Sequence, residues 1–353
     1  MSIFNSIEDH DQTRHLLGLS VPQYRQAYSD RTAWLMACLS ELAYLRFNPL
    51  FSNEQLKDYF IKHVDRLLGE AKKSSLVKLI DAVGYDPDEE KKKLEEELSA
   101  INMTLVYPFD KDGTQVILVD MKSALILAFR GTEATSLKDI KADAKAVTTR
   151  CESGGNVHSG FKEAFDTVAV QVQQYLDKPE YAEKPLYITG HSLGGALATI
   201  AAKRLSHEGG IAACYTYGSP RVGDEDWIND IKTPIYRVVN AADCVTMLPP
   251  GADTITILSW MVQFVPGIGK ASRKFLLSKF SGYIHCGNMR FLTSVSKGAY
   301  RDAKLLYSVN LLTRILGVLK KKNPWTAYLA DHSIAIYRKK LGHIAVQKNP
   351  DSL

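Results

Sequence analysis

The chain has 353 residues, of which 45% are hydrophobic and 24% are charged, and its formal net charge is +5. This composition is typical of one large globular domain or two modest ones, and it excludes collagen-like, coiled-coil and disordered chains. The sequence contains no stretch of 18 apolar residues, the length that a membrane-spanning helix needs.

The N-terminal residues 1–11 have neither a basic start nor an apolar centre, so we expect no secretory signal peptide. Five scattered cysteines, an odd number, are typical of reduced thiols; they are Cys38, Cys151, Cys214, Cys244 and Cys286. Both observations predict a cytoplasmic protein at synthesis. They leave open export by a route that needs no cleaved signal.

Positive charge is concentrated towards the C-terminus. Residues 259–345 contain 15 Lys or Arg residues and two acidic residues, Asp302 and Asp331. We expect the basic region 270–340 to meet an anionic membrane or lipid-droplet surface. The alternative is a solvated face whose lysines keep the protein soluble. No nucleic-acid partner is expected, because no nucleic-acid-binding motif accompanies the charge.

Residues 1–100 are predicted to form a helical region packed on the core. Apolar positions at helical spacing predict a helix over 30–45, and a charged segment predicts another near Asp88–Leu98. From Ile101 the pattern changes to short β-rich runs. The predicted strands are Met103–Pro108, Gln115–Asp120 and Ala124–Arg130, the first two being joined by a turn at Asp112 and Gly113.

Helices and strands alternate along the next part of the chain. The predicted elements are helix Ser159–Leu176, strand Leu186–Thr189, helix Gly194–Ser206, strand Ala213–Tyr217, a short helix near Asp224–Ile231 and strand Ile235–Asn240. This alternation predicts an α/β fold over 101–353, with a mostly parallel central sheet flanked by helices. Reactive groups are then expected at the carboxyl ends of the strands.

A serine lies where one predicted strand is followed directly by a helix. The five residues are Gly190, His191, Ser192, Leu193 and Gly194, the G-x-S-x-G pattern of a nucleophile elbow. Such a turn strains the backbone at the serine and leaves no room for a Cβ on the glycine positions. We therefore predict Ser192 as a nucleophile at a helix N-terminus, where backbone N–H groups can receive negative charge. The alternative is a structural tight turn.

A serine nucleophile needs a base and an acid that orients the base. Asp243 follows a β-rich run, on a loop at the expected carboxyl end of a strand, and is the favoured acid. Chain order and loop placement favour His332 as the base. His285, in a segment (282–287) that we predict to be a strand, and His343 remain alternatives.

The reaction also needs two or more donors for an oxyanion. One is the N–H of Leu193, the residue after the nucleophile. The second is expected on the loop after the predicted strand Ala124–Arg130, where Gly131 allows a close approach and Thr132 offers an N–H and a hydroxyl.

These residues resemble the class 3 lipases, the filamentous-fungal lipase family. The similar blocks are Phe129–Thr132, Val157–Phe161, Gly190–Ala196, Tyr215–Gly223, Asn240–Pro249 and Asp331–His332. The resemblance implies an α/β-hydrolase fold with a Ser192–Asp243–His332 triad, an oxyanion hole at Thr132 and Leu193, no metal and no cofactor. His158 and Arg221 also fall in these blocks, and we interpret them as structural residues that hold loops around the site.

The sequence departs from the family pattern in two places. The lid position, Ser136–Val147, is small and charged, so we do not expect interfacial activation through it. Between Asp243 and His332 we predict a cap insert, 255–325, with an apolar segment over 255–268 and a basic amphipathic helix from Leu305 to Leu319.

The sequence thus predicts a serine ester hydrolase, most specifically a lipase that acts on acylglycerols through an acyl-enzyme. A phospholipase or a short-chain carboxylesterase could use the same triad, and acyl-chain preference depends on a pocket shape that the sequence does not give. From another class, a lipase-like interaction protein would keep the fold without turnover.

Overall fold

The computed structural model describes residues 3–4, 15–17, 24–45, 86–131, 148–241, 243–249, 251, 282–296, 298–310 and 331–350. Thr132, the predicted lid segment 136–147, the apolar segment 255–268 and most of the predicted basic helix lie outside these ranges. Within them, no helix combines the length and the apolar character that crossing a bilayer requires.

A mixed sheet forms the centre of the described structure. The strands are β1 (Thr104–Lys111), β2 (Thr114–Asp120), β3 (Leu125–Phe129), β4 (Thr148–Arg150), β5 (Asn156–His158), β6 (Leu186–His191), β7 (Ile211–Tyr217), β8 (Ile235–Asn240), β9 (Asn288–Leu292) and β10 (Leu305–Leu306). The central sheet has the order β1-β2-β3-β6-β7-β8-β9-β10, and β4 pairs with β5 separately. Strands β3, β6, β7, β8 and β9 are parallel neighbours, which confirms the predicted α/β fold with a mostly parallel sheet.

Helices cover both faces of this sheet. They are α1 (Asp30–Leu42), α2 (Pro87–Ser99), α3 (Ser159–Leu176), α4 (Pro179–Ala182), α5 (Leu193–Arg204), α6 (Glu225–Asn229) and α7 (Ile334–Lys348). Side-chain caps fix several of their starts. Ser29 accepts from the N–H of Thr32 at the start of α1, and Asp86 accepts from two N–H groups at the start of α2.

Strand β3 shows why the central strands are continuous apolar runs. All five of its residues are buried, and they alternate between two cores. Ile126 and Ala128 pack in the core that contains α1 and α7, whereas Leu125, Leu127 and Phe129 pack in the core that contains α3 and α5. A strand covered on both faces must be apolar at every position, so it does not alternate between apolar and polar residues.

Two sequence predictions near the C-terminus are wrong. The segment 282–287 was predicted to be a strand, but within it only Ile284 makes an isolated bridge, to Gly223. Strand β9 starts at Asn288, directly after this segment, because the chain turns at Gly287, where φ is +81° and any Cβ would overlap Ile235. Leu305, predicted to begin a helix, lies in β10 and pairs with Leu292.

Part of the predicted cap insert 255–325 lies in the central sheet. Strand β9 pairs in parallel with β8, and β10 pairs with β9 in the antiparallel direction. Both strands therefore belong to the central sheet and not to a cap, since the open edge of β8 needs backbone hydrogen-bond partners. Residues 255–281 and 311–325 of the predicted insert lie outside the described residues.

Packing of α3 against the sheet gives a test of this architecture. Phe165 is 1% exposed and its ring lies 6.2 Å from that of Phe129. Phe165→Ala is expected to lower the free energy of unfolding by about 3–5 kcal/mol, measured by urea denaturation. The matched control on the same helix is Val170→Ala, at a position 70% exposed, which should change it by less than about 0.5 kcal/mol. Equal effects of the two substitutions would contradict this packing.

Candidate active site

Ser192 lies between the last residue of β6 and the first residue of α5. Its backbone is in a left-handed conformation, with φ 58° and ψ −127°. A residue with a Cβ adopts such angles only when the surrounding structure enforces them. Here the N–H of Ser192 donates to the carbonyl of Tyr217, 2.9 Å away on the neighbouring strand β7.

Glycines surround this turn because backbone segments meet there. A Cβ on Gly190 would overlap the carbonyl group of Gly194, and a Cβ on Gly194 would overlap the carbonyl oxygen of Phe129. A Cβ on Gly131 would overlap the carbonyl oxygen of His191 and would lie 3.1 Å from the Cβ of Ser192. All three positions therefore require glycine.

The structure brings Ser192, His332 and Asp243 together. Nε2 of His332 lies 2.8 Å from the hydroxyl oxygen of Ser192, and Nδ1 lies 3.0 and 2.9 Å from the two carboxylate oxygens of Asp243. Asp243 follows β8, His332 precedes α7, and all three residues are buried. The histidine that contacts Ser192 is His332; His285 lies before β9 and His343 lies within α7.

The Asp243 carboxylate has further support that the sequence did not suggest. Tyr337, on α7, donates its hydroxyl proton to Oδ2 at 2.5 Å, and the N–H of Val245 donates to Oδ1 at 3.0 Å. The hydroxyl oxygen of Tyr337 in turn accepts from the N–H of Asn240 at 3.0 Å. A buried carboxylate needs such donors to stay charged.

The main chain at His332 is held by two neighbouring side chains. Nδ2 of Asn240 donates to the carbonyl of Asp331 at 2.8 Å, and Nε2 of His191 donates to the carbonyl of His332 at 2.6 Å. On the other side of the His191 ring, Nδ1 accepts from the hydroxyl of Tyr44 at 2.8 Å. Burial, and then the nearby His332, hold the pKa of His191 well below its ordinary value. His191 is therefore neutral and carries its proton on Nε2.

Gly218 is another residue that the sequence analysis did not single out. It lies after β7, with φ +58°, and an added Cβ would lie 2.7 Å from Oδ2 of Asp243 and 2.9 Å from Nδ1 of His332. The only sequence signal for it is its place in the block Tyr215–Gly223. The side chains of Asp243 and His332 both lie against Gly218, so this position cannot carry a side chain.

Donors for an anion are available at the start of α5. The N–H groups of Leu193 and Gly194 are in the first turn, where an α-helix supplies no acceptor for them. The positive end of the helix dipole also lies there. Thr132, the second predicted donor, is outside the described residues, and Gly131 before it lies against Ser192. Among the described residues, no group of three His, Cys, Asp or Glu side chains could hold a metal ion.

Arg221 holds a loop next to this site, and His158 packs at the start of α3. Nη1 of Arg221 donates to the carbonyls of Met247 and Pro249, at 2.5 and 2.6 Å, and so fixes the loop that follows Asp243. The His158 ring stacks on Phe161 with its centroid 4.0 Å away, and burial lowers the pKa of His158 to about 4. Arg221 therefore holds a loop as predicted, whereas the stacking partner of His158 lies on helix α3.

Gly218→Ala tests the close approach of the acid and the base. The added Cβ must displace Asp243 or His332, and a displacement of about 1 Å costs about 100-fold in rate. We expect at least that loss in the rate at which a fluorophosphonate labels Ser192. Gly113→Ala is the control, because Gly113 also has positive φ (+81°) but an added Cβ there meets nothing within 4 Å. An unchanged labelling rate in Gly218→Ala would be inconsistent with this geometry.

His158 predicts a pH dependence of stability. Above pH 6.5 its ring is neutral in both states, so it adds no pH dependence there. Between pH 6.5 and about 4 the unfolded chain binds a proton that the folded protein does not. The free energy of unfolding therefore decreases as the pH is lowered through this range. The free energy of unfolding of His158→Phe should therefore decrease less steeply across this window than that of the unsubstituted protein. Urea denaturation at pH 7.5, 5.5 and 4.5 measures it. Identical slopes would mean that His158 titrates normally.

The part of the chain that contains Ser192 and Asp243 is similar to known proteins. Residues 126–253, from β3 to the loop beyond Asp243, match the family described as lipase (class 3). The chain is 41% identical over 103 residues to secreted mono- and diacylglycerol lipase 1 of Fusarium solani, covering 28% of this chain and 31% of that protein. It is 34% identical over 164 residues to a Rhizomucor miehei lipase, covering 42% of this chain and 43% of that lipase. The matches thus span less than half the length of these curated relatives.

Among solved structures, a lipase from Rhizopus microsporus var. chinensis has a similar fold. The alignment covers 92% of this chain and 93% of that one, with a TM-score of 0.52 and 20% sequence identity. At this identity the similarity concerns the fold alone. Similarity to the class 3 lipase family therefore covers residues 126–253, and similarity to the solved lipase covers the fold.

Proposed function

We propose that the protein is a serine ester hydrolase, and more specifically a lipase that hydrolyses acylglycerol esters. The observation that carries this proposal is the unbroken series of hydrogen bonds from the Ser192 hydroxyl through His332 to Asp243. A serine hydroxyl is a weak nucleophile by itself, and a base held in this way is what activates it. The same geometry disfavours a lipase-like protein without turnover.

In the proposed mechanism, Ser192 attacks the ester carbonyl while Nε2 of His332 takes its proton. Asp243 keeps the other ring proton on Nδ1 and stabilises the imidazolium that forms. His332 then gives its proton to the departing alcohol, which leaves an acyl group on Ser192. Water, activated by the same histidine, attacks the acyl-enzyme and releases the fatty acid.

We propose Leu193 and Thr132 as the donors that stabilise the oxyanion. The position of the Leu193 N–H at the start of α5, next to Ser192, supports the first assignment. The second rests on the sequence, since Thr132 follows Gly131, which lies against Ser192. Removing one such donor costs about 3 kcal/mol of transition-state stabilisation in well-studied hydrolases.

The substrate class rests on the relatives. One is named a secreted mono- and diacylglycerol lipase and another a lipase, which supports acylglycerols as the substrate. A phospholipase or a short-chain carboxylesterase would use the same residues. An anionic lipid surface as partner of the basic region 270–340 remains a prediction from charge, and Arg301 and Lys304 are exposed cations of that region.

Substitution of the three residues tests the mechanism. Ser192→Ala should lower kcat by about 10⁶-fold, because the nucleophile is removed. Asp243→Asn should lower kcat by about 10⁴-fold, because the imidazole is then held in the wrong tautomer. His332→Ala should abolish turnover, whereas His285→Ala, the matched histidine control, should not. The assays use p-nitrophenyl esters of graded chain length, followed by triacylglycerol and phospholipid.

Each outcome separates the alternatives. Activity that survives in Ser192→Ala would overturn the mechanism. Loss of activity in His285→Ala with retention in His332→Ala would move the base to His285. Faster turnover of phospholipid, or of short-chain esters alone, would replace the acylglycerol assignment and leave the triad in place.

A further inference from the structure

A buried lysine lies behind the candidate site. Lys340, on α7, is 2% exposed. Its ammonium group donates to Oδ1 of Asn240 and to the carbonyl oxygen of Thr293, each at 2.7 Å. Taking an ammonium group out of water is costly, and an apolar side chain of similar size would avoid that cost. The position of Lys340 therefore calls for an explanation.

The first effect of Lys340 is on the orientation of the Asn240 amide. Because Oδ1 of Asn240 accepts from Lys340, Nδ2 must point the other way, where it donates to the carbonyl of Asp331. If the amide flipped, its NH₂ group would face the ammonium and its oxygen would face the carbonyl. Both contacts would then be repulsive. The lysine thus selects one of the two amide orientations.

Asn240 contacts the supports of both the acid and the base. Its side chain holds the carbonyl of Asp331, next to His332, and its main-chain N–H donates to the hydroxyl of Tyr337. That hydroxyl donates to Asp243. One residue at the end of β8 therefore supports the main chain of the histidine and the hydrogen-bond donor of the aspartate.

The histidine loop has a second support on the adjacent carbonyl. His191, at the end of β6, donates to the carbonyl of His332. Two consecutive carbonyls are thus held by side chains from two different strands, so the peptide planes on both sides of the His332 Cα are held. Without the Asn240 contact, the plane between Asp331 and His332 loses this hydrogen bond, while the next plane keeps its hydrogen bond from His191.

We propose that Lys340 is a positioning residue for the proposed ester hydrolysis, and that it acts through the amide of Asn240 on the placement of His332 and Asp243. This inference rests on the proposed function. Among the described hydrogen bonds, those of Lys340 go to Asn240 and Thr293 and not to the triad, so its proposed role is in placing the base relative to Ser192. Misplacement of a catalytic group by about 1 Å costs about 100-fold in rate. The effect should fall on kcat and not on KM, because the lysine lies behind the triad.

The test compares two substitutions of Lys340 that differ in hydrogen-bond donors. Lys340→Met keeps an unbranched side chain of similar length but has no donor, and we expect kcat for p-nitrophenyl butyrate to fall about 10- to 100-fold with KM within about twofold. Lys340→Gln keeps an N–H donor for Asn240, so kcat should recover to within about threefold of the unsubstituted protein. All assays are run well below the lowest Tm of the set.

Arg338→Met is the matched control on the same helix. The buried guanidinium of Arg338 pairs with Glu41, with Nε 2.6 Å from Oε2, and this pair links α7 to α1. Its loss should lower Tm because it leaves Glu41 without this partner. It should leave kcat unchanged, since neither residue contacts Asn240, Tyr337 or the triad in the described hydrogen bonds.

A double substitution tests whether Lys340 acts through Asn240. Asn240→Asp keeps an acceptor for the lysine but loses the donor to Asp331, so it should lower kcat by itself. Lys340→Met added to Asn240→Asp should then cost less than about twofold more, because the two residues act in series. Additive losses would overturn the proposal, as would a normal kcat in Lys340→Met accompanied only by a lower Tm.

Ser192→Ala separates this proposal from the function on which it rests. If Ser192→Ala retains activity, the proposed function fails and the role of Lys340 fails with it. If Ser192→Ala is inactive but Lys340→Met has a normal kcat, only the positioning role of Lys340 fails.

Discussion

The turn at Ser192 depends on backbone segments that approach too closely for any side chain to lie between them. Gly131, Gly190 and Gly194 each face a main-chain carbonyl where a Cβ would overlap it. Such contacts are set by peptide geometry and not by rotamers, so they place the serine hydroxyl at the carboxyl end of β6 with little freedom. Every other group of the candidate site is arranged around that fixed hydroxyl.

The groups that complete the site form one connected set of buried hydrogen bonds. Ser192, His332, Asp243 and Asn240 are buried, and their polar atoms are paired within the protein. Where water is excluded, each hydrogen bond is stronger and each missing partner costs more. Removing one member therefore leaves another unsatisfied, and we expect the set to respond to substitution as a unit. Helix α7 supplies two of its members, Tyr337 and Lys340, beyond the three residues of the triad.

Sequence reasoning succeeded where the information is local. The bounds of Ser159–Leu176 and Ile235–Asn240 were predicted as the structure has them, because amphipathic spacing and a β-branched run each indicate one type of element. It failed at the strand predicted over 282–287, where the true start depends on pairing with β8. Ser192, Asp243 and His332 were selected by motif and chain order, and the structure brings them together.

The supporting residues could not be found in this way. Tyr337 and Lys340 reach partners that lie 94 and 100 residues away in the chain. In sequence Tyr337 is typical of a core position in an amphipathic helix, and nothing local distinguishes a buried lysine from an exposed one. Gly218 had only its block as a signal, because its role is defined by the two side chains that meet across it.

The pairing of His191 has a consequence for protons at this site. Its ring lies 4.6 Å from that of His332, and both of its nitrogens are occupied, Nε2 by donating to a carbonyl and Nδ1 by accepting from Tyr44. A second proton on His191 would reverse its hydrogen bond with Tyr44 and place a charge in a fully buried ring beside another imidazole. In the proposed mechanism, His191 therefore does not compete with His332 for the proton that leaves Ser192.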